Sequence, residues 1–207
     1  MTAMEEKSCN VRAEPECKKQ ALSIAKMHRK KFEVTENGVT TPSDVAYHFM
    51  ICPNGTVYEG RPGKNTKGRH AWGINDNSIG IMMMGNYQTD RKSQRAPDSF
   101  LPASTVNAVG NLIAYVAHES SIDLNSMDTD VSNTKVSGAI PALTMHQVIG
   151  NAIQPNFCSK NDGLPCAVGS EKCECGPYVD ECPGSLIVTE YFSKFKAVAI
   201  QTLKTMH

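Results

Sequence analysis

From Glu14 onward the apolar positions recur at helical spacing. Cys17, Ala21, Ile24, Ala25 and His28 share one face of a helix predicted from Glu14 to about Phe32. Glu14-Pro15-Glu16 opens that helix with acidic residues and Arg29-Lys30-Lys31 closes it with basic ones, as the helix dipole favours. Glu36-Asn37-Gly38 through Pro42 reads as a loop, and the period then changes. Asp44-Val45-Ala46-Tyr47 leads into Tyr47-His48-Phe49-Met50-Ile51-Cys52, and Thr56-Val57-Tyr58 returns. Pro53-Asn54-Gly55 between them tolerates the positive φ of a tight turn, so the pattern predicts a β-hairpin that brings a tyrosine to one end of a sheet. Glu59-Gly60-Arg61-Pro62-Gly63 cannot continue a strand and opens a Gly-rich loop to Asn77. Ser78 to Gly85 reads as a buried central strand, with Met82-Met83-Met84 as core filler.

After a linker from Arg91 to Pro102, Val106, Val109, Leu112, Ile113 and Val116 form the apolar stripe of a second helix, about Ser104 to His118. Asp123 to Ser137 is polar loop, and Ala139 to Val148 carries a short strand with His146. Ser185 caps a last helix reaching about residue 206, with Ile187, Tyr191, Phe195 and Val198 on one face. Strands alternating with helices predict a mixed α/β architecture. At 207 residues the chain is read as one domain with one substantial core.

Lysine plus arginine equals aspartate plus glutamate, so the formal net charge of zero gives no reason to expect nucleic acid as a partner. No apolar run of about 18 residues occurs, so no membrane span is expected. Residues 1–7 carry no apolar core of a signal peptide. Eight cysteines nevertheless point to an oxidising compartment outside the cytoplasm. Five of them, Cys158, Cys166, Cys173, Cys175 and Cys182, fall in one stretch whose spacing fits disulfides better than a zinc ribbon.

Three motif groups stand in order along the chain. The first is Tyr47-His48-Phe49 with Gly55-Thr56-Val57-Tyr58-Glu59-Gly60-Arg61. The second is Gly68-Arg69-His70-Ala71-Trp72-Gly73-Ile74-Asn75 with Ser78-Ile79-Gly80-Ile81 and Gly85-Asn86-Tyr87, and the third is Met145-His146-Gln147-Val148 with a late Cys182-Pro183-Gly184. Together they resemble the zinc amidases that cut N-acetylmuramoyl-L-alanine bonds, a family that includes phage lysozyme-type amidases and peptidoglycan recognition proteins. The match is dense from Val45 to Tyr87, about a fifth of the chain. The resemblance implies a central mixed β-sheet flanked by helices, here with a Cys-rich insertion over 158–182. It also implies a bridge from Cys9 to Cys17.

Its functional residues carry over as expectations. Zinc would be held by His146 and by Cys182 or Cys158. The Pro-Gly and the helix start that follow favour Cys182, whereas closeness to His146 in sequence favours Cys158. The oxyanion-stabilising position two residues earlier is then Asp180 or Asn156; an aspartate repels a developing oxyanion and an asparagine can donate to it. Tyr47 matches the tyrosine beside the zinc-bound water. Arg61, His70, Trp72 and Asn75 match positions along the substrate groove. His48 reads as structural, and His28 matches a structural helix histidine. The first zinc histidine is the departure: its slot, in a segment like His-Thr-Ala, falls at Met1-Thr2-Ala3, and a thioether is a poor zinc ligand. Three functions follow as expectations: a zinc amidase of peptidoglycan, a muropeptide-binding module without catalysis on the same fold, and a secreted protein whose 158–182 insertion contacts a protein partner.

Overall fold

The computed structural model describes residues 14–32, 34–36, 39–41, 44–62, 66–70, 75, 78–85, 87, 100–124, 157–159, 174–176 and 187–206. Three helices run Glu14–Lys31 (α1), Ala103–Ser120 (α2) and Phe192–Leu203 (α3), the last entered through a π-helical turn at Ile187–Tyr191. Seven three-residue strands complete the described elements: β1 Val34–Glu36, β2 Val39–Thr41, β3 Phe49–Ile51, β4 Val57–Glu59, β5 Ile81–Met83, β6 Phe157–Ser159 and β7 Glu174–Gly176.

The sheet that organises the molecule has the order β4-β3-β5. β3 pairs antiparallel with β4 and parallel with β5, in the register Phe49↔Ile81, Met50↔Met82 and Ile51↔Met83, so the sheet is mixed. Among the described strands β3, not the expected Ser78–Gly85 strand, is in the middle. Strand alternation sends neighbouring side chains to opposite faces, and the two faces bury different partners. Phe49, Ile51, Ile81 and Met83 pack on a core built with Val109, Leu112, Ile113 and Ala117 of α2 and with Phe195 and Ala199 of α3. Met50, Cys52, Met82 and Met84 pack on Cys17 and Ala21 of α1. The methionine triplet therefore divides between the two cores, with Met84 fully buried.

The turn between β3 and β4 follows the local chemistry of Asn-Gly. Gly55 adopts φ +89°, its N–H donates to the Cys52 carbonyl at 2.8 Å, and the Asn54 side-chain oxygen accepts from Thr56 N–H at 2.9 Å. Two helix starts dock on this turn. The Thr105 hydroxyl in the first turn of α2 is wholly buried and donates to the Pro53 carbonyl at 2.8 Å. Glu14 at the start of α1 accepts from the Thr56 hydroxyl at 2.7 Å and the Tyr58 hydroxyl at 2.6 Å. These bonds hold the Glu14 carboxyl below its ordinary value, and burial together with Glu14 pushes Tyr58 up to about 12.

A disulfide joins Cys17 of α1 to Cys52 at the end of β3, with Cα atoms 5.8 Å apart, in the normal range for a bridge. This corrects the expected pairing of Cys17 with Cys9. The physical reason is in the two periodicities: helical spacing places Cys17 on the sheet-facing side of α1, strand alternation places Cys52 on the α1-facing side of β3, and both are fully buried.

Candidate functional site

The site is assembled where the chain enters β3 and leaves β4. Tyr47 and His48 precede the strand, and the chain from Gly60 onward returns beside them. Gly60 N–H donates to the His48 carbonyl at 2.8 Å and Arg61 N–H to the Tyr47 carbonyl at 3.1 Å, which extends the hairpin ladder past its last strand residue. Arg69 N–H donates to the Ala46 carbonyl at 2.9 Å and brings the Gly-rich loop back to the same end of the sheet. Four aromatic rings converge there. Tyr47 stacks on His70 at 5.8 Å between centroids, the His28 ring lies 6.1 Å from that of Tyr47, and His48 meets the His70 ring edge-on at 5.5 Å.

His48 is the pin of this corner. It is 1% exposed, its Nδ1 accepts from Gly80 N–H at 3.0 Å, and its Nε2 lies 2.7 Å from the Thr66 carbonyl. An amide N–H can only donate and a carbonyl can only accept, so the neutral Nε2–H tautomer is the one that satisfies both. Burial, with Arg61 nearby, holds the His48 imidazole below its ordinary value against the opposing hydrogen bond to Thr66. His28 is used similarly: its Nδ1 accepts from Ala46 N–H at 3.2 Å, and burial, then Lys31, lowers it. Both imidazoles are committed to backbone groups that position Tyr47.

His70 is buried, and its backbone N–H donates to the Asn75 side-chain oxygen at 2.8 Å, while Gly68 N–H donates to the Asn75 carbonyl at 3.2 Å. Asn75 thus closes the loop that presents His70 to Tyr47. Gly80 permits this packing, because a methyl group there would run into the His70 ring. Arg61 is buried with its Nη2 3.4 Å from the Asp44 carbonyl, and burial lowers its guanidinium below the ordinary value. Arg69 reaches the Phe32 carbonyl at the end of α1 at 3.1 Å.

Of the residues the sequence nominates, the fold brings Tyr47, His70 and Asn75 to one corner, and the Arg61 backbone bonds to Tyr47. Trp72, His146, Asn156, Asp180 and Cys182 lie outside the described residues, and Cys158 is described only by its backbone in β6. Among the described residues no group of three His, Cys, Asp or Glu side chains is placed to hold a metal ion. Sequence reasoning missed Glu14, whose carboxylate ties α1 to the hairpin. The signal available was only an acidic first turn, which the helix dipole already explains.

A sequence profile of the family described as N-acetylmuramoyl-L-alanine amidase matches residues 4–160. The chain belongs to the N-acetylmuramoyl-L-alanine amidase family. It is similar to peptidoglycan recognition protein 3 of Mus musculus, with 50% identity over 44 residues, 21% of this chain and 12% of that one. It is similar to peptidoglycan recognition protein 1 of Bos indicus, with 39% identity over 109 residues, 51% of this chain and 46% of that one. Among solved structures it matches bumblebee PGRP-SA at 32% identity and a TM-score of 0.38, covering 54% of this chain and 55% of that one. The chain spans less than half the length of these curated relatives. No helix among the described residues is long and apolar enough to cross a membrane.

Proposed function

We propose that the chain is a zinc-dependent hydrolase of the amide bond between N-acetylmuramic acid and L-alanine in peptidoglycan. The observation that carries this reading is the placement of Tyr47. Its half-buried ring packs beside both His28 and His70 where the chain enters β3, while its neighbour His48 is spent on backbone groups. A phenol fixed this firmly is set up to orient a small reactant. The match to the amidase family supports the reading, since residues 4–160 include His146 as well as Tyr47.

His146 with Cys182 or Cys158 would hold the zinc, and an imidazole with a thiolate is a donor set that suits it. The described histidines 28 and 48 do not serve, because each gives its Nδ1 to a backbone amide. Zinc, when bound, polarises a carbonyl and lowers the pKa of bound water to about 7. In this reading the Tyr47 hydroxyl orients the attacking water. Asn156 donates to the amide oxygen as it gains charge if Cys158 is the ligand; with Cys182 the corresponding residue is Asp180, which cannot donate when ionised. Arg61, His70, Trp72 and Asn75 shape the groove for the muropeptide. A buried disulfide supports work in an oxidising, extracytoplasmic compartment.

In a second reading the chain is a peptidoglycan-binding module without catalysis on the same fold, which needs the corner around Tyr47 and His70 but no zinc. The test measures zinc per chain and new L-alanyl amino termini after incubation with cell-wall sacculi. The amidase reading expects one zinc, new termini in wild type, and about a 10²-fold slower release in Tyr47→Phe. Retention on sacculi with no new termini establishes the second reading, and neither retention nor termini overturns both.

A further inference from the structure

We propose that Cys158 and Cys175 are joined by a cross-strand disulfide that closes the cysteine-rich insertion. β6 and β7 pair antiparallel in the register Phe157↔Gly176, Cys158↔Cys175 and Ser159↔Glu174, so the two cysteines occupy directly opposed positions. Opposed residues of an antiparallel pair have Cα atoms about 4.5 or 5.5 Å apart according to their place in the ladder. Both separations fall within the window of about 4.4–6.8 Å that a disulfide spans. The pairing also needs support: two strands of three residues form a marginal sheet by themselves. A covalent tie between the middle residues of both strands supplies it, across the intervening segment 160–173. The chain already holds one buried bridge, Cys17–Cys52, so the compartment that forms one forms the other.

In the step each thiol gives up one proton and one electron, and the sulfur–sulfur bond forms between them. A disulfide oxidant of the thiol–disulfide exchange class takes the two electrons and two protons and leaves as two thiols. The consequence reaches the candidate zinc site. A bridged Cys158 has no thiolate to give, so the ligand is Cys182. That assignment rests on the zinc reading, whereas the bridge does not.

Trypsin with glutamyl endopeptidase cuts the unreduced, denatured full chain so that Cys158, Cys166, Cys173, Cys175 and Cys182 fall on five separate peptides. The expected result is a linked pair of peptides 136–160 and 175–181 that disappears on reduction, each half then gaining one alkyl group. Alkylation of either cysteine before reduction, or a link from either to another cysteine, overturns the bridge. A second measurement reads zinc per chain by metal analysis. The double variant Cys158→Ser/Cys175→Ser is expected to keep the wild-type zinc and Cys182→Ser to lose it. The reverse pattern overturns the assignment of the ligand to Cys182. Wild type without zinc overturns the zinc reading and the ligand assignment together, while the peptides decide the bridge.

Discussion

Replacing Cys52 with alanine separates the observed disulfide from the one the motif pattern suggests. The Cys17–Cys52 bridge spans 35 positions. In the chain-entropy account a closed loop of that length stabilises the fold by about 4 kcal/mol at 25 °C, through constraint of the unfolded chain. Loss of the buried sulfur from the cluster with Met50, Met84 and Ala21 adds on the order of 1 kcal/mol. For a chain of this size each kcal/mol lowers the melting temperature by about 2–4 °C, so the bridge alone accounts for a fall of roughly 8–16 °C. The assay is thermal unfolding followed by circular dichroism on wild type, Cys52→Ala and Cys9→Ala under non-reducing conditions. Cys52→Ala is expected to fall by that amount, Cys17→Ala/Cys52→Ala to match it, and Cys9→Ala to stay near wild type. A Cys52→Ala protein melting within about 3 °C of wild type, with Cys9→Ala strongly destabilised, would refute the reasoning and restore a Cys9–Cys17 bridge.

Two further outcomes follow from the titrating groups. His28 and His48 are held neutral by burial, so the unfolded chain binds more protons than the folded one as pH falls below about 6.5, the ordinary histidine value. Their stabilisation is complete above that pH and is lost as pH falls toward their lowered folded values, by up to about 1.4 kcal/mol per pH unit for each proton excluded. Urea midpoints should therefore decline from pH 7.5 to 5.5, less so in His48→Asn, and a flat profile in wild type counts against buried neutral imidazoles. Glu14 acts in a separate window, below its ordinary value near 4.5, since its lowered carboxyl is needed ionised. In Glu14→Gln the Tyr58 phenol should titrate lower than about 12 but stay above 10, because burial as well as the carboxylate raises it. Ultraviolet difference titration reads this, and an unchanged curve would remove Glu14 from the hairpin.

What was legible in the chain was whatever a short window contains. Cys17, Ala21 and His28 repeat at helical spacing and are the buried residues of α1. Asn54-Gly55 marked the β3–β4 turn, and the positive φ of Gly55 is the reason. The same dipeptide at Asn37-Gly38 reads as loop in the sequence, yet β1 and β2 pair with Glu36 opposite Val39 on either side of it. Its flanks, Val34-Thr35-Glu36 and Val39-Thr40-Thr41, are too short and polar to advertise a strand by hydrophobicity. What was not legible depends on contacts far apart in sequence. Cys52 is paired across 35 positions, and Glu14 meets Tyr58 across 44. Motif order likewise put Tyr47, His70 and Asn75 in one group, but only the folded chain shows His28 and His48 working on backbone amides around them.

The double grip of His48 has an evolutionary reading. One imidazole fastens the Thr66 carbonyl and the Gly80 amide, so a single side chain holds both ends of the intervening stretch. The entropy of closing a loop rises by only about 0.6 kcal/mol for each doubling in length. Apart from Gly68, Arg69, His70 and Asn75, whose bonds and packing build the corner, positions between those anchors can thus be lengthened with little penalty to the sheet. Variation in loop length can accumulate there while a single side chain keeps the scaffold in register.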